Sequence, residues 1–128
     1  MLVAFSTQPS IAHFLKGVLD GAGFTVVAAS SELGALERIV QETHPDAVVC
    51  DIGFPFLENW QALQNACRNP GLRQTAVVVT TSEVRELRRQ VGETGAIELF
   101  RKPDDLGALR AAVESAIAHS SAALREAI

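Results

Sequence analysis

A carboxylate that ends an apolar run, with chain breakers just beyond it, is where this sequence first offers chemistry. Val48-Val49-Cys50-Asp51 leads the backbone to an acid, and Gly53 and Pro55 then stop regular structure. The pattern reads as a buried strand whose last residue is exposed where a loop begins. In parallel α/β sheets ligands gather at the carboxyl ends of strands, so Asp51 stands where a functional acid would. Taken alone, the stretch fits equally well an Asp that starts a turn. Other groups join it if the remaining apolar runs are also parallel strands. Ser6 and Thr7 follow Leu2–Phe5, Thr80 follows Ala76–Val79, and Lys102 follows Ala96–Phe100. One acid, one amine and three hydroxyls would then share one sheet edge.

The elements that must position these residues alternate along the chain. After the first strand, Pro9 suits the first turn of a helix, where its missing N–H would be unpaired anyway. Ile11, Phe14, Leu15, Val18 and Leu19 recur at helical spacing, and Gly21 and Gly23 end that helix. Phe24–Ala29 is β-rich and reads as strand two. Ser30 or Ser31 caps a second helix with Leu33, Leu36, Ile39 and Val40 on one face, stopped by His44-Pro45. Strand three is Ala47–Asp51. Trp60, Leu63, Ala66 and Cys67 mark a third helix, closed by Asn69-Pro70-Gly71. Strand four runs from Ala76 into Thr80-Thr81-Ser82, and Val84, Leu87 and Val91 stripe a fourth helix. Strand five is Ala96–Phe100. Asp104 then caps a last helix carrying Leu106, Leu109, Val113 and Ile117.

Five strand–helix alternations imply a parallel sheet with helices on both faces, a three-layer α/β/α sandwich. At 128 residues this is one domain, taken as 1–119, with 120–128 either extending the last helix or starting a linker. A hydrophobic fraction of 48% is that of a globular chain, and a net charge of −4 gives no basic surface for nucleic acid. No apolar run approaches the roughly 20 residues that span a bilayer. The start Met1-Leu2-Val3-Ala4-Phe5 is unlike a signal peptide, so a cytoplasmic location is expected. Cys50 and Cys67 lack metal-ligand spacing and read as small buried hydrophobes.

With these residues placed, the chain resembles the receiver domain of bacterial response regulators, over nearly its whole length. Asp51 matches that family's phospho-accepting aspartate, with Pro55 four positions later. Thr80 matches the hydroxyl residue that contacts the phosphoryl group. Lys102-Pro103 matches the Lys-Pro after the last strand, in a frame opened by Gly95-Ala96, and Pro9-Ser10-Ile11 falls where the family opens its first helix. The resemblance implies a flavodoxin-like sheet of order 2-1-3-4-5 and a place in two-component signal transduction rather than an enzyme. It also implies protein partners, a sensor histidine kinase or an output domain, and self-association through the face of helix four, strand five and helix five.

Departures from the family pattern bear on the chemistry. The family has two adjacent acids after strand one, which hold Mg²⁺ with the phospho-accepting aspartate; here those positions are Ser6 and Thr7. The switch aromatic, three residues before the lysine, is Leu99. Phosphoryl transfer depends on positioning and on neutralising phosphoryl charge. At ~4 Å and an effective dielectric of ~20, each missing carboxylate removes on the order of 4 kcal/mol of attraction for a unit charge. Mg²⁺ is expected to bind weakly, and no other cofactor is implied. Asp51 and Lys102, together neutral, are expected to form a standing ion pair with Thr80 beside it. The reading is an atypical receiver that works as an interaction module; the alternative is a receiver phosphorylated at Asp51 by a histidine kinase. A third class, an anion binder using Lys102 and the hydroxyls, is also open.

Other signals read more plainly as surface or core. Arg85, Arg88 and Arg89 share a helix face near Arg101 and could meet an acidic partner or a second copy. Interspersed Glu83, Glu86 and Glu93 favour a solvated mixed-charge helix. His13, His44 and His119 pair with no cysteine or acid at ligand spacing and read as surface residues. Trp60 reads as a core anchor of helix three. No Gly-x-Gly-x-x-Gly follows strand one, and no Ser or Cys nucleophile neighbours a His.

Overall fold

The computed structural model describes residues 1–53, 55–72, 75–81 and 109–118, together with the backbone of Ile97–Arg101. Its strands are β1 (Leu2–Ser6), β2 (Val26–Ser30), β3 (Ala47–Asp51), β4 (Ala76–Thr81) and β5 (Ile97–Arg101). Helix α1 spans Pro9–Gly21, a 3₁₀ turn spans Leu33–Ala35, α2 spans Leu36–Thr43 and α3 spans Phe56–Cys67. Residues 109–118 are helical. Every paired strand is parallel, in the order β2-β1-β3-β4-β5. The parallel sheet is the one expected from the alternation, and its order is the flavodoxin-like one that the resemblance implies. The expected fourth helix with Val84, Leu87 and Val91, the Asp104 cap and the segment 120–128 lie outside the described residues.

Strands β1, β3 and β4 are buried at every position, which is what helices on both faces require. Alternation splits their side chains between two cores. Val3, Phe5, Val48, Cys50, Val77 and Val79 pack with Leu36 and Val40 of α2 and with Phe56, Trp60 and Leu63 of α3. Leu2, Ala4, Ala47, Val49, Ala76 and Val78 pack with Leu15 and Leu19 of α1 and with Leu109, Val113 and Ala116. Ala4, Ala47 and Ala76 are small, which keeps the helices on that face close to the sheet.

Local details depart from the sequence expectation at several places, beginning with β1, which includes Ser6 where Leu2–Phe5 was expected. Phe14 was expected on the core face of α1 but is 55% exposed; the buried stripe is Ala12, Leu15 and Leu19. The small Ala12 lets the helix approach the sheet and turns the axis of burial away from Phe14. Neither Ser30 nor Ser31 caps the second helix. Ser30 closes β2, and the chain enters α2 through the 3₁₀ turn, with no side-chain cap on either segment. Strand β2 starts at Val26 rather than Phe24, because the Phe24 N–H is used by the Leu19 carbonyl at the end of α1. Strand β5 starts at Ile97 and runs on to Arg101, where Ala96–Phe100 was expected.

The exit from α2 is a left-handed corner. His44 has φ 48°, its N–H donates to the Val40 carbonyl at 2.8 Å, and Pro45 follows and prevents another helical turn. A non-glycine residue in that region costs about 1–2 kcal/mol. One fully buried leucine such as Leu36 returns a comparable amount, so the corner is tolerated rather than favourable. His44→Gly is therefore expected to stabilise the protein by about 1 kcal/mol, or about 4 °C in melting temperature. An unchanged or lowered melting temperature would show that the corner carries no strain.

Candidate functional site

Parallel register sets three polar residues side by side at the carboxyl edge of the sheet. Ser6 of β1 is the register partner of Asp51 of β3, which in turn is the partner of Thr80 of β4. By alternation they continue the rows Ala4, Val49 and Val78, on the face that packs against α1 and residues 109–118. The topology therefore assembles most of the expected cluster from backbone geometry alone.

Burial of the site is deeper than its sequence suggests. Asp51 was expected to be exposed, yet it is 5% exposed, with Ser6 at 2% and Thr80 at 0%. The acid still belongs to the strand, flanked on both sides by neighbouring strands, and Ile52 beyond it is also buried. A buried carboxylate needs polar partners. Thr80 supplies one: its Oγ1 donates to Asp51 Oδ1 at 2.9 Å. The Ile52 N–H donates to the Thr80 carbonyl at 2.8 Å, which extends the β3–β4 ladder one residue past Asp51.

Ser6 and Thr7 behave differently from one another. Ser6 Oγ accepts from the Gln8 N–H at 3.1 Å, a local turn bond that holds the chain as it enters α1. Thr7 is exposed. Of the residues that sequence reasoning passed over, Asn59 is the informative one. Its Nδ2 donates to the Gly53 carbonyl at 3.1 Å, tying the loop after Asp51 to the first turn of α3. The available signal was an Asn at the start of a helix just after a Gly–Pro loop, a residue suited to bonding nearby backbone.

Cys50, next to Asp51 in sequence, points to the opposite face. Burial first, then the Asp51 charge and then Cys67, push its thiol well above the ordinary range. Burial alone pushes Cys67 up to about 11. Neither thiol is activated at neutral pH, in line with their reading as small hydrophobes. Trp60 is 2% exposed, its ring 6.5 Å from that of Phe56 and nearly parallel, so it anchors the core. Among the described residues its buried Nε1 finds no hydrogen-bond partner. His13 and His44 are exposed.

Among the described residues no three His, Cys, Asp or Glu side chains lie close enough to share a metal ion. None of the helices described is long and apolar enough to cross a membrane. Lys102, Arg85, Arg88, Arg89 and His119 lie outside the described residues, and so does the expected Asp51–Lys102 pair. Leu99 and Arg101 are placed by backbone register, opposite Val79 and Thr81. Thr80→Val keeps the shape but removes the donor to Asp51, and is expected to cost about 1–3 kcal/mol in urea unfolding. Thr80→Ser should recover part of it; equal stability of the valine variant and the parent would show that this bond does not support the site.

Comparison with known proteins agrees with this geometry. The family model for the response regulator receiver domain matches residues 6–114. The transcriptional regulatory protein ZraR of Escherichia coli K12 is 29% identical over 107 residues, 83% of this chain and 24% of that protein. A protein-glutamate methylesterase/protein-glutamine glutaminase of Myxococcus xanthus is 32% identical over 98 residues, 75% of this chain and 28% of that protein. The chain thus spans about a quarter of the length of these curated relatives. Among solved structures, a response regulator receiver domain protein of Clostridium thermocellum superposes with a TM-score of 0.72 at 25% identity, covering 94% of this chain and 95% of that one. The receiver domain of a signal transduction histidine kinase from Syntrophus aciditrophicus shares the fold, with a TM-score of 0.68 at 24% identity over 91% and 89% of the two chains. With the family's pattern matched from the end of β1 into the last helical segment, and Asp51 and Thr80 joined at the sheet edge, the chain belongs to the response regulator receiver domain family of two-component signalling.

Proposed function

We propose that this receiver is an atypical one, acting as a protein-interaction module whose output does not depend on Mg²⁺-driven phosphorylation of Asp51. The observation that carries the reading is the makeup of the row Ser6–Asp51–Thr80, a single carboxylate between two hydroxyls. Mg²⁺ takes hard oxygen ligands and is usually held through one or two carboxylates. At the position beside Asp51 on β1, the donor is a neutral hydroxyl whose oxygen already accepts the Gln8 N–H. Thr7 adds only a second neutral hydroxyl. The donor set fits a divalent cation poorly, and we derive no phosphotransfer step through one.

On this reading Asp51 has a structural role. It holds β3 to β4 through Thr80, and Lys102 balances its charge in a standing ion pair. Leu99 at the switch position offers no ring or hydroxyl to relay movement of Thr80. Signalling then rests on surface contacts with a sensor histidine kinase or an output domain. Arg85, Arg88, Arg89 and Arg101 supply a basic face for an acidic partner or a second copy, through helix four, strand five and helix five. The second reading, phosphorylation at Asp51, is favoured by one observation: the acid and Thr80 Oγ1 are already in contact at the strand ends, 2.9 Å apart.

Calorimetric titration with Mg²⁺ separates the two. No saturable site at millimolar or lower concentration is expected, and beryllium fluoride with Mg²⁺ should leave the amide spectrum around Asp51 unchanged. Saturable binding, or shifts abolished by Asp51→Asn, would overturn the atypical reading in favour of the phospho-switch. For the basic face, Arg88→Glu with Arg89→Glu is expected to weaken partner capture by a cognate kinase or output domain about tenfold or more. Unchanged capture would remove these arginines from the interface.

A further inference from the structure

We infer that the outer edge of β2, which no strand among the described residues pairs, is a self-pairing surface through which two copies of this chain join their sheets. Strand β2 is the terminal strand of the sheet. Leu2 stands opposite Val26 in register, and the Leu2 N–H donates to the Thr25 carbonyl at 2.8 Å. In a parallel ladder, a residue that bonds to both neighbours of its register partner leaves that partner's own N–H and C=O on the far side. Val26, Ala28 and Ser30 therefore direct their peptide groups away from β1, toward the open edge.

Edges of this kind are normally protected by charges, proline or a bulge. Val26-Val27-Ala28-Ala29-Ser30 contains neither charge nor proline, and its register with β1 runs without a skipped residue. Val27 is 42% exposed and Ala28 and Ala29 are half-buried. The chain carries a net charge of −4, and the strip Val26–Ser30 adds no charge that would repel a second copy at this edge.

The edge also complements itself. Antiparallel pairing about a two-fold axis through Ala28 sets Ala28 against Ala28 of the partner copy, and Val26 against Ser30 of the partner copy. Each of these is a pair of outward-facing residues, so each exchanges two hydrogen bonds. A slip of one residue would oppose outward-facing groups with inward-facing ones and lose them. On the α2 side Val27 would cover Ala29 of the partner copy, replacing exposed apolar surface with contact. The contact is closed and isologous, so it makes a dimer rather than a fibre. It is distinct from the face of helix four, strand five and helix five.

Cysteine cross-linking in a Cys67→Ser background tests the register directly. Hydrogen-bonded antiparallel partners have Cα atoms about 5.5 Å apart, within the span of a disulfide. Ala28→Cys is expected to give a covalent dimer under mild oxidation. Ser30→Cys should not, because its two copies would lie about 13 Å apart along the strands. In sedimentation, the unmodified chain should dimerise with concentration. Val27→Lys and Ala28→Pro should each raise the dissociation constant about tenfold or more. Proline at 28 removes an N–H that β1 does not use, and far-ultraviolet circular dichroism checks that both variants fold. A parent chain monomeric up to about 1 mM, cross-linking at Ser30→Cys equal to that at Ala28→Cys, or dimerisation unchanged in both edge variants would each overturn the proposal. So would dimerisation lost in Arg88→Glu with Arg89→Glu and kept in the edge variants.

Discussion

The hydrogen bond from Thr80 to Asp51 is the constraint around which the functional edge is arranged. A carboxylate that is 5% exposed cannot remain without polar partners, since the cost of burying it unpaired exceeds what a small domain can absorb. The bond is available only because β3 and β4 are in register at this pair and both residues fall on the same face. One residue later, the Ile52 N–H on the Thr80 carbonyl carries the ladder past the acid, and Asn59 then holds Gly53. Together these bonds fix where β3 ends and how α3 begins.

Two cores hold that row in place from below and behind. On one side α1 and residues 109–118 pack against the small and branched residues that precede Ser6, Asp51 and Thr80 in their strands. On the other, α2 and α3 pack against Phe5, Cys50 and Val79. The backbone of the row cannot shift without moving strands that are buried on both faces. Backbone movement at the site is therefore coupled to packing, which is the physical basis on which a receiver can transmit a change.

The central strands were legible in the sequence because both-face burial leaves continuous apolar runs, and breakers end each one; their order followed only from the family resemblance. Asp51 at the end of its run was legible for the same reason, and Trp60 as a core anchor followed from its place in a helical stripe. The entry to α2 was not. Ser30 and Ser31 look like caps, but the β1 ladder takes Ser30, and a 3₁₀ turn starts the helix without a side-chain cap. Phe14 was misplaced because periodicity identifies a stripe of about 100° and not its centre; packing against alanine-rich strands moved that centre to Ala12 and Leu15.

What the sequence determined by itself is the alternation, the polarity of the sheet's carboxyl edge and the lack of an acid at Ser6 and Thr7. These follow from residue type and spacing, which act locally. Tertiary structure decided the burial of Asp51, its bond to Thr80, the Asn59–Gly53 tie and which peptide groups of β2 face outward. Each of these depends on the register between strands distant in sequence, or on the path of a loop. No local pattern of residue types encodes either one.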